Sequence, residues 1–347
     1  MKIDGRTSLI LESKSGVNLA DMGRKVFKIK NEPMTRWAWW WWFWLFFFNN
    51  PANPEKPRQL MITWSTKNVR EFDCNNLKIR FNQSRDMSDL DGIVAAWYFD
   101  GEKMHHNFLL EQCNLNISDK SLTTDSTIPT SFSINKTGSI IKIGNDFKFI
   151  AELKNKDSFI MRSYQKHAYV CDRGYSVTRL NHLDLRGKIR DELIHGSAYF
   201  DRVFLNIPPP KWDWGVLHFE NGSVMNYYII YLLGKSIRKY LSFFDGNKMH
   251  EFIDISVKTS GGKMPTFIMS GDNEHEKINF TVKSYSHSSW TFRKKTLGII
   301  PNKLTYNEYP VVISDLKLTN KKTGKKITLK ELGRSVGNAE HMTGFLL

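Results

Sequence analysis

The sequence predicts an all-β fold of two packed antiparallel domains, and three observations point to it. Short segments of alternating or β-branched residues recur along the chain, with turn residues between them. Asp-Gly or Asn-Gly pairs at 100–101, 221–222 and 245–246 stand between such segments, where glycine accepts positive φ and closes a tight hairpin. Helical periodicity is scarce, "LKELGRS" near the end being one candidate. Closely spaced hairpins without crossover helices predict sandwiches or barrels and argue against a parallel α/β sheet.

The first strand is expected in "WAWWWWFWLFFF", residues 37–48, of which six are Trp and four are Phe. Twelve apolar residues fall short of the roughly 20 that a membrane-spanning helix needs. Trp, moreover, favours the bilayer interface over its centre. As a strand, the run puts Trp37, Trp39, Trp41, Phe43, Leu45 and Phe47 on one face. Ala38, Trp40, Trp42, Trp44, Phe46 and Phe48 take the other. Both faces are apolar, so both must be covered: one by a barrel lumen, the other by a second domain, a partner or lipid.

Further strands are expected at 58–66 ("RQLMITWST"), 92–110, 131–144 and 147–164, then at 212–234 and 242–257. "TNKKTGKK" at 319–326 reads as a turn. Charge and turn residues at 154–158 suggest a division near there, giving domains of 1–165 and 166–347.

Composition narrows the function. Fifty Lys and Arg against 35 Asp and Glu give a net charge of +15, which suits an anionic partner, nucleic acid or a membrane face, or simply a solvated basic surface. The marks of nucleic-acid modules are missing, so nucleic acid is not an expected partner, although Trp-rich β surfaces can stack bases. Cys74, Cys113 and Cys171 have no paired spacing, which fits a reducing compartment and gives no metal site. The first residues show no export signal, so a cytoplasmic protein, free or peripheral on the inner membrane face, is the expectation. His105 and His106 are adjacent and face opposite sides of a strand, so they cannot jointly chelate an ion from it.

Indoles suit a long hydrocarbon or polyene, which stacks on flat rings without hydrogen bonds. Trp39, Trp40, Trp41, Trp42 and Trp44, with Trp64, Trp97, Trp212 and Trp214, are the candidate cavity walls. Within "HGSAYFDRVFLNIPPPKWDWGVLHFENGSVMNYYII" (195–230), Tyr199 and Asp201 share one strand face. A carboxyl beside a phenol and indoles is poorly hydrated, so its pKa should rise and leave it a proton donor near neutral pH. Pairing with Arg202 or capping a turn is the structural alternative for Asp201.

This stretch resembles the central motif of the carotenoid 1,2-hydratase (hydroxyneurosporene synthase) and AttH-like family: glycine, Tyr-x-Asp, a short loop, Trp-Asp-Trp, then a strand ending in an acidic or Asn residue plus Gly. The run at 36–50 is similar to the family's early Trp-rich strand, and Gly337 to Glu340 resemble its late glycine–glutamate element. The sequence departs where "RVFLNIPPP" follows the Tyr-x-Asp, and "KHAYVCDRGY" holds His167 without the family's His-x-Trp.

The resemblance implies two lipocalin-like antiparallel β-barrel or sandwich domains. It also implies cofactor-independent, acid-catalysed hydration or cyclisation of a long isoprenoid or polyene, the work of a hydro-lyase or a related cyclase or isomerase. Asp201 would be the proton donor, Tyr199 its neighbouring phenol, and Trp212 and Trp214 the aromatic pair near the domain junction. No cofactor or metal is expected. A non-catalytic carrier of a hydrophobic ligand is the rival reading.

Overall fold

The structure is a computed structural model that describes residues 26–29, 35, 37–68, 71–82, 89–153, 163–170, 173–232, 234–296 and 300–345. The charged stretch at 154–158, Cys171 and the N-terminal segment read for an export signal lie outside the described residues.

The first strands are β1 (Trp39–Phe48), β2 (Arg58–Lys67), β3 (Glu71–Cys74), β4 (Leu77–Arg80), β5 (Asp89–Phe99), β6 (Met104–Ile117), β7 (Ser121–Thr124), β8 (Thr130–Ile134), β9 (Gly138–Ile143), β10 (Phe147–Glu152), β11 (Ser163–Val170), β12 (Arg173–Ile189) and β13 (Glu192–Leu205). Ten of them close into an antiparallel barrel in the order β1-β2-β5-β6-β7-β8-β9-β10-β12-β13. Closure depends on β12, which is long enough to pair β11 with its first half and β10 with its second. β13 then returns to β1, matching Phe43 with Asp201 and Leu45 with Tyr199.

The second sheet holds β14 (Lys211–Phe219), β15 (Val224–Leu232), β16 (Lys235–Phe244), β17 (Met249–Phe252), β18 (Asp254–Thr259), β19 (Thr266–Asp272), β20 (Glu276–Ser284), β21 (Ser288–Thr296), β22 (Ile300–Asn320), β23 (Lys326–Thr328) and β24 (Ser335–Phe345). β3 and β4 join it through the pairing of β3 with β21. The chain therefore changes sheets between Leu205 and Lys211, beyond the expected boundary near 165, because the barrel cannot close without β12 and β13. The β3–β4 hairpin of the N-terminal half also belongs to the second sheet.

The expected hairpin signals sit where strands reverse. Gly101, Gly222 and Gly246 all have positive φ, between β5 and β6, β14 and β15, and β16 and β17. "LKELGRS" forms a one-turn helix, Leu329–Leu332, ended by Gly333 at φ 79°. His105 bonds Asp100 and His106 lies near Ser288, so the two rings do have separate surroundings.

Strand alternation divides the aromatic run between two cores. Trp40, Trp42, Trp44, Phe46 and Phe48 point into the barrel and pack with Leu60, Ile62, Trp64, Phe132 and Phe200. Trp39, Trp41, Phe43, Leu45 and Phe47 point outward onto a face of the second sheet. That face carries Trp214 and Val216 of β14, Trp290 and Phe292 of β21, Leu304 of β22 and Met342 of β24. The far face of the second sheet has its own core around Tyr227, Phe243, Phe280 and Val311.

Polar ties cross between the sheets. Gln59 Nε2 donates to the Gly337 carbonyl at 2.8 Å. His218 Nε2 lies 2.6 Å from the Asn181 carbonyl, which can only accept, so this nitrogen donates, and Nδ1 is hydrogen-bonded to Ser197 Oγ at 2.7 Å. Glycines permit close strand approaches: a Cβ on Gly196 would stand 1.9 Å from the Phe47 carbonyl oxygen, and one on Gly337 2.2 Å from that of Val216.

Candidate active site

The outward face of the barrel and the facing side of the second sheet do not meet completely. Between them lies a partly open cavity of about 80 Å³. The barrel contributes Trp39, Trp41 and Phe43 of β1, Met61, Thr63 and Ser65 of β2, and Ile93 and Ala95 of β5. The second sheet contributes Cys74, Trp212, Trp290, Phe292, Tyr306, Glu308 and Glu340. An engineered apolar cavity of about 150 Å³ takes benzene, so the enclosed part of this one, at about 80 Å³, is smaller than the space a whole ring fills.

The wall is a set of mutually packed rings. Trp39 meets Trp41 edge-on at 5.2 Å and Phe292 at 5.7 Å. Trp41 stacks on Trp212 at 6.3 Å, and Trp212 meets Tyr306 edge-on at 5.5 Å. Two indoles are tied by hydrogen bonds, Trp39 Nε1 to Ser65 Oγ at 2.7 Å and Trp212 Nε1 to Glu340 Oε1 at 2.9 Å. The Lys67 ammonium lies 4.3 Å from the Trp39 ring centre. Burial lowers that amine to about 7.

Of the indoles expected to form the wall, Trp39, Trp41 and Trp212 do so. Trp40, Trp42, Trp44 and Trp64 lie in the barrel interior, at most 1% exposed, as strand parity requires. Trp97 and Trp214 belong to the layer between the sheets but do not border the cavity. The Trp214 ring instead packs on Tyr199 at 5.2 Å and on Phe43 at 6.1 Å.

Tyr199 and Asp201 lie on the outward face of β13, close to Phe43. Tyr199 Oη donates to Asp201 Oδ2 at 3.0 Å, and Arg179 Nε donates to the same oxygen at 3.0 Å. Asp201 Oδ1 is buried without a hydrogen-bond partner. Burial raises the carboxyl's pKa, while the Arg179 guanidinium beside it works the other way. The pairing cation is Arg179, matched to Asp201 across the β12–β13 ladder. Arg202 is the next residue on the same strand, so it faces the opposite side and bonds Ser176 Oγ at 2.9 Å.

The carboxyls that border the cavity are Glu308 and Glu340. They stand directly opposite each other across β22 and β24 and are 3% and 8% exposed. Burial pushes Glu308 up to about 7. Burial, followed by the facing Glu308, pushes Glu340 well above the usual carboxylate range. Asn338 Nδ2 donates to Glu308 Oε2. Nearby, Asp213 is held by His341 and by Tyr231 Oη, the latter at 2.7 Å.

The motif at 195–230 does not contain this pair. The available signal was strand parity: Glu308 falls in phase with Leu304 and Tyr306, and Glu340 with Val336 and Met342, so both charges sit where an apolar residue is due. Among the described residues no three His, Cys, Asp or Glu side chains gather in a metal-binding group.

No protein-family profile matches the chain, and no curated protein matches it. A crystal structure of a candidate AttH from Nitrosomonas europaea is similar over 92% of this chain and 97% of its own, at 13% identity and a TM-score of 0.49.

Proposed function

We propose that the chain binds the apolar end of an isoprenoid-type molecule between its two sheets and protonates a double bond there, leading to hydration or cyclisation without a cofactor. The observation that carries this reading is a cavity walled by indoles and other apolar side chains with two buried carboxyls on its border. An alkene is protonated only by an acid that keeps its proton, and desolvation supplies that condition. The electron-rich faces of Trp41, Trp212 and Tyr306 suit a developing carbocation. The likeness of the Tyr199–Asp201 motif to that of the carotenoid hydratases supports the same class of reaction.

A carrier is the second reading, because the aromatic wall alone retains an apolar ligand. The two are separated with geraniol, which carries an isobutenyl end group. Quenching of Trp fluorescence reports binding, and mass spectrometry after incubation in deuterated water reports chemistry. Deuterium on carbon in a hydrated or cyclised product supports the enzyme. Geraniol bound and recovered unchanged supports the carrier, and absence of quenching removes both.

Contact with an anionic membrane face belongs to the same proposal. Among the described residues no helix is long and apolar enough to cross a membrane. The β15–β16 hairpin exposes Leu232 (55%) and Ile237 (60%) beside exposed Lys235. That combination suits docking at an interface.

A further inference from the structure

We propose that Glu308 and Glu340 share one proton and are the acid that touches the ligand. This rests on the alkene-protonating reading above and names the group that performs it.

The geometry is specific. Glu308 and Glu340 are direct cross-strand neighbours in an antiparallel ladder, where facing Cβ atoms stand about 4.5–5.5 Å apart. Both side chains border the cavity. Each keeps one neutral donor in place: Asn338 Nδ2 on Glu308, and the Trp212 indole on Glu340. Among the described residues no cation pairs with either carboxyl, whereas Asp201 holds Arg179. In a desolvated site a negative charge on one carboxyl makes ionising its cross-strand neighbour costlier, so the pair retains a proton near neutrality. The other titratable groups acting on Glu340 are Asp201, Asp213, Tyr199, Tyr227 and Tyr306, and none is a cation. Burial and the neighbouring acids disfavour the anionic form of the pair, and the Asn338 and Trp212 donors offset only part of this.

A separate observation points to a ligand with an oxygen, or to a water beside it. Trp290 borders the same cavity, is 4% exposed, and its Nε1–H has no acceptor. A buried indole N–H without an acceptor is costly, so a ligand or water oxygen that reached it would be favoured.

The chemistry balances with water as the co-reactant. The shared proton passes to the less substituted carbon of the double bond, whose π electrons form the new C–H bond. The cation develops on the tertiary carbon, faced by the rings. Water attacks that carbon, the C–O bond forms, and the proton released from water returns to the carboxyl pair. The net change is addition of one water, with the acid regenerated.

Difference infrared spectroscopy of the full chain tests this without needing turnover. At pH 7 the wild type should show a protonated-carboxyl band that weakens in both Glu340→Gln and Glu308→Gln and persists in Asp201→Asn. Circular dichroism checks that each variant is folded, and the wild-type pH titration of the band stands if one variant is not. With geraniol, Glu340→Gln should lose about 10²-fold or more in product formation while quenching stays within a few-fold. No such band in wild type, a band that survives both Glu substitutions, or a band removed by Asp201→Asn overturns the proposal. A band that behaves as expected, with no geraniol product from wild type, upholds the shared proton and counts against the hydration reading alone.

Discussion

Trp41 of the barrel and Trp212 of the second sheet stack at 6.3 Å with their planes 15° apart, so the cavity wall is built from both halves of the molecule. Neighbouring residues of β1 should therefore differ in kind when truncated. Trp41→Ala is expected to weaken geraniol binding at least tenfold with modest loss of stability, since Trp41 is only half-buried. Trp42→Ala should do the reverse. Its ring is fully buried in the barrel core, where removing an aromatic side chain costs about 3–5 kcal/mol. Fluorescence titration and urea unfolding of the two variants measure this.

Asp201→Asn keeps an oxygen that can accept from Tyr199 and Arg179, whereas Asp201→Ala removes both bonds. Loss of hydrogen bonds to a charged group costs about 1.5–3 kcal/mol each. Thermal melts should place Asn near wild type and Ala clearly below it. Equal losses would mean that the contacts of Asp201 do not hold the joint.

The carboxyl pair gives stability a pH dependence whose sign is fixed. Burial raises Glu308 from 4.5 to about 7 in the folded chain, and Glu340 moves the same way. The folded state then holds more protons than the unfolded one within that window, and its stability falls as pH rises. This contribution is complete below about 4.5 and is lost as pH passes through about 7. Melting temperatures from pH 4.5 to 8 should show a downward slope that Glu340→Gln reduces. An unchanged slope would mean that the pair does not titrate there.

Gly196→Ala should disrupt the barrel, because its Cβ would meet the Phe47 carbonyl oxygen at 1.9 Å and backbone cannot yield cheaply. Low soluble yield or a large drop in melting temperature is expected, while alanine at exposed Gly234, with nothing within 4 Å, should retain the fold despite backbone strain at its φ of 78°.

Leu232→Ser with Ile237→Ser should reduce sedimentation with anionic vesicles and leave geraniol quenching unchanged. Wild-type binding should weaken as salt rises. Equal wild-type binding to neutral vesicles would show that charge is not the driver.

Much of the fold was legible locally. The Gly101, Gly222 and Gly246 turns were marked by Asp or Asn before glycine, and the alternation of 39–48 fixed which residues of β1 share a face. Asp201 was legible as a buried acid beside Tyr199, because residues two apart on a strand look the same way. Its cation was not. Arg179 reaches Asp201 through the register of β12 on β13, and the sequence offered Arg202, which parity turns away.

By itself, then, the sequence determined an antiparallel β chain, a first strand apolar on both faces, and a carboxyl placed next to a phenol. These follow from short-range geometry: a period of two along a strand and positive φ at glycine. Only the tertiary structure decided which face of β1 fills the barrel and which meets the second sheet. It also decided that β12 and β13 finish the barrel, and that Glu308 and Glu340 of the second sheet face each other beside the cavity. Each of those depends on register between strands far apart in the chain, and register is set when whole apolar faces are buried together.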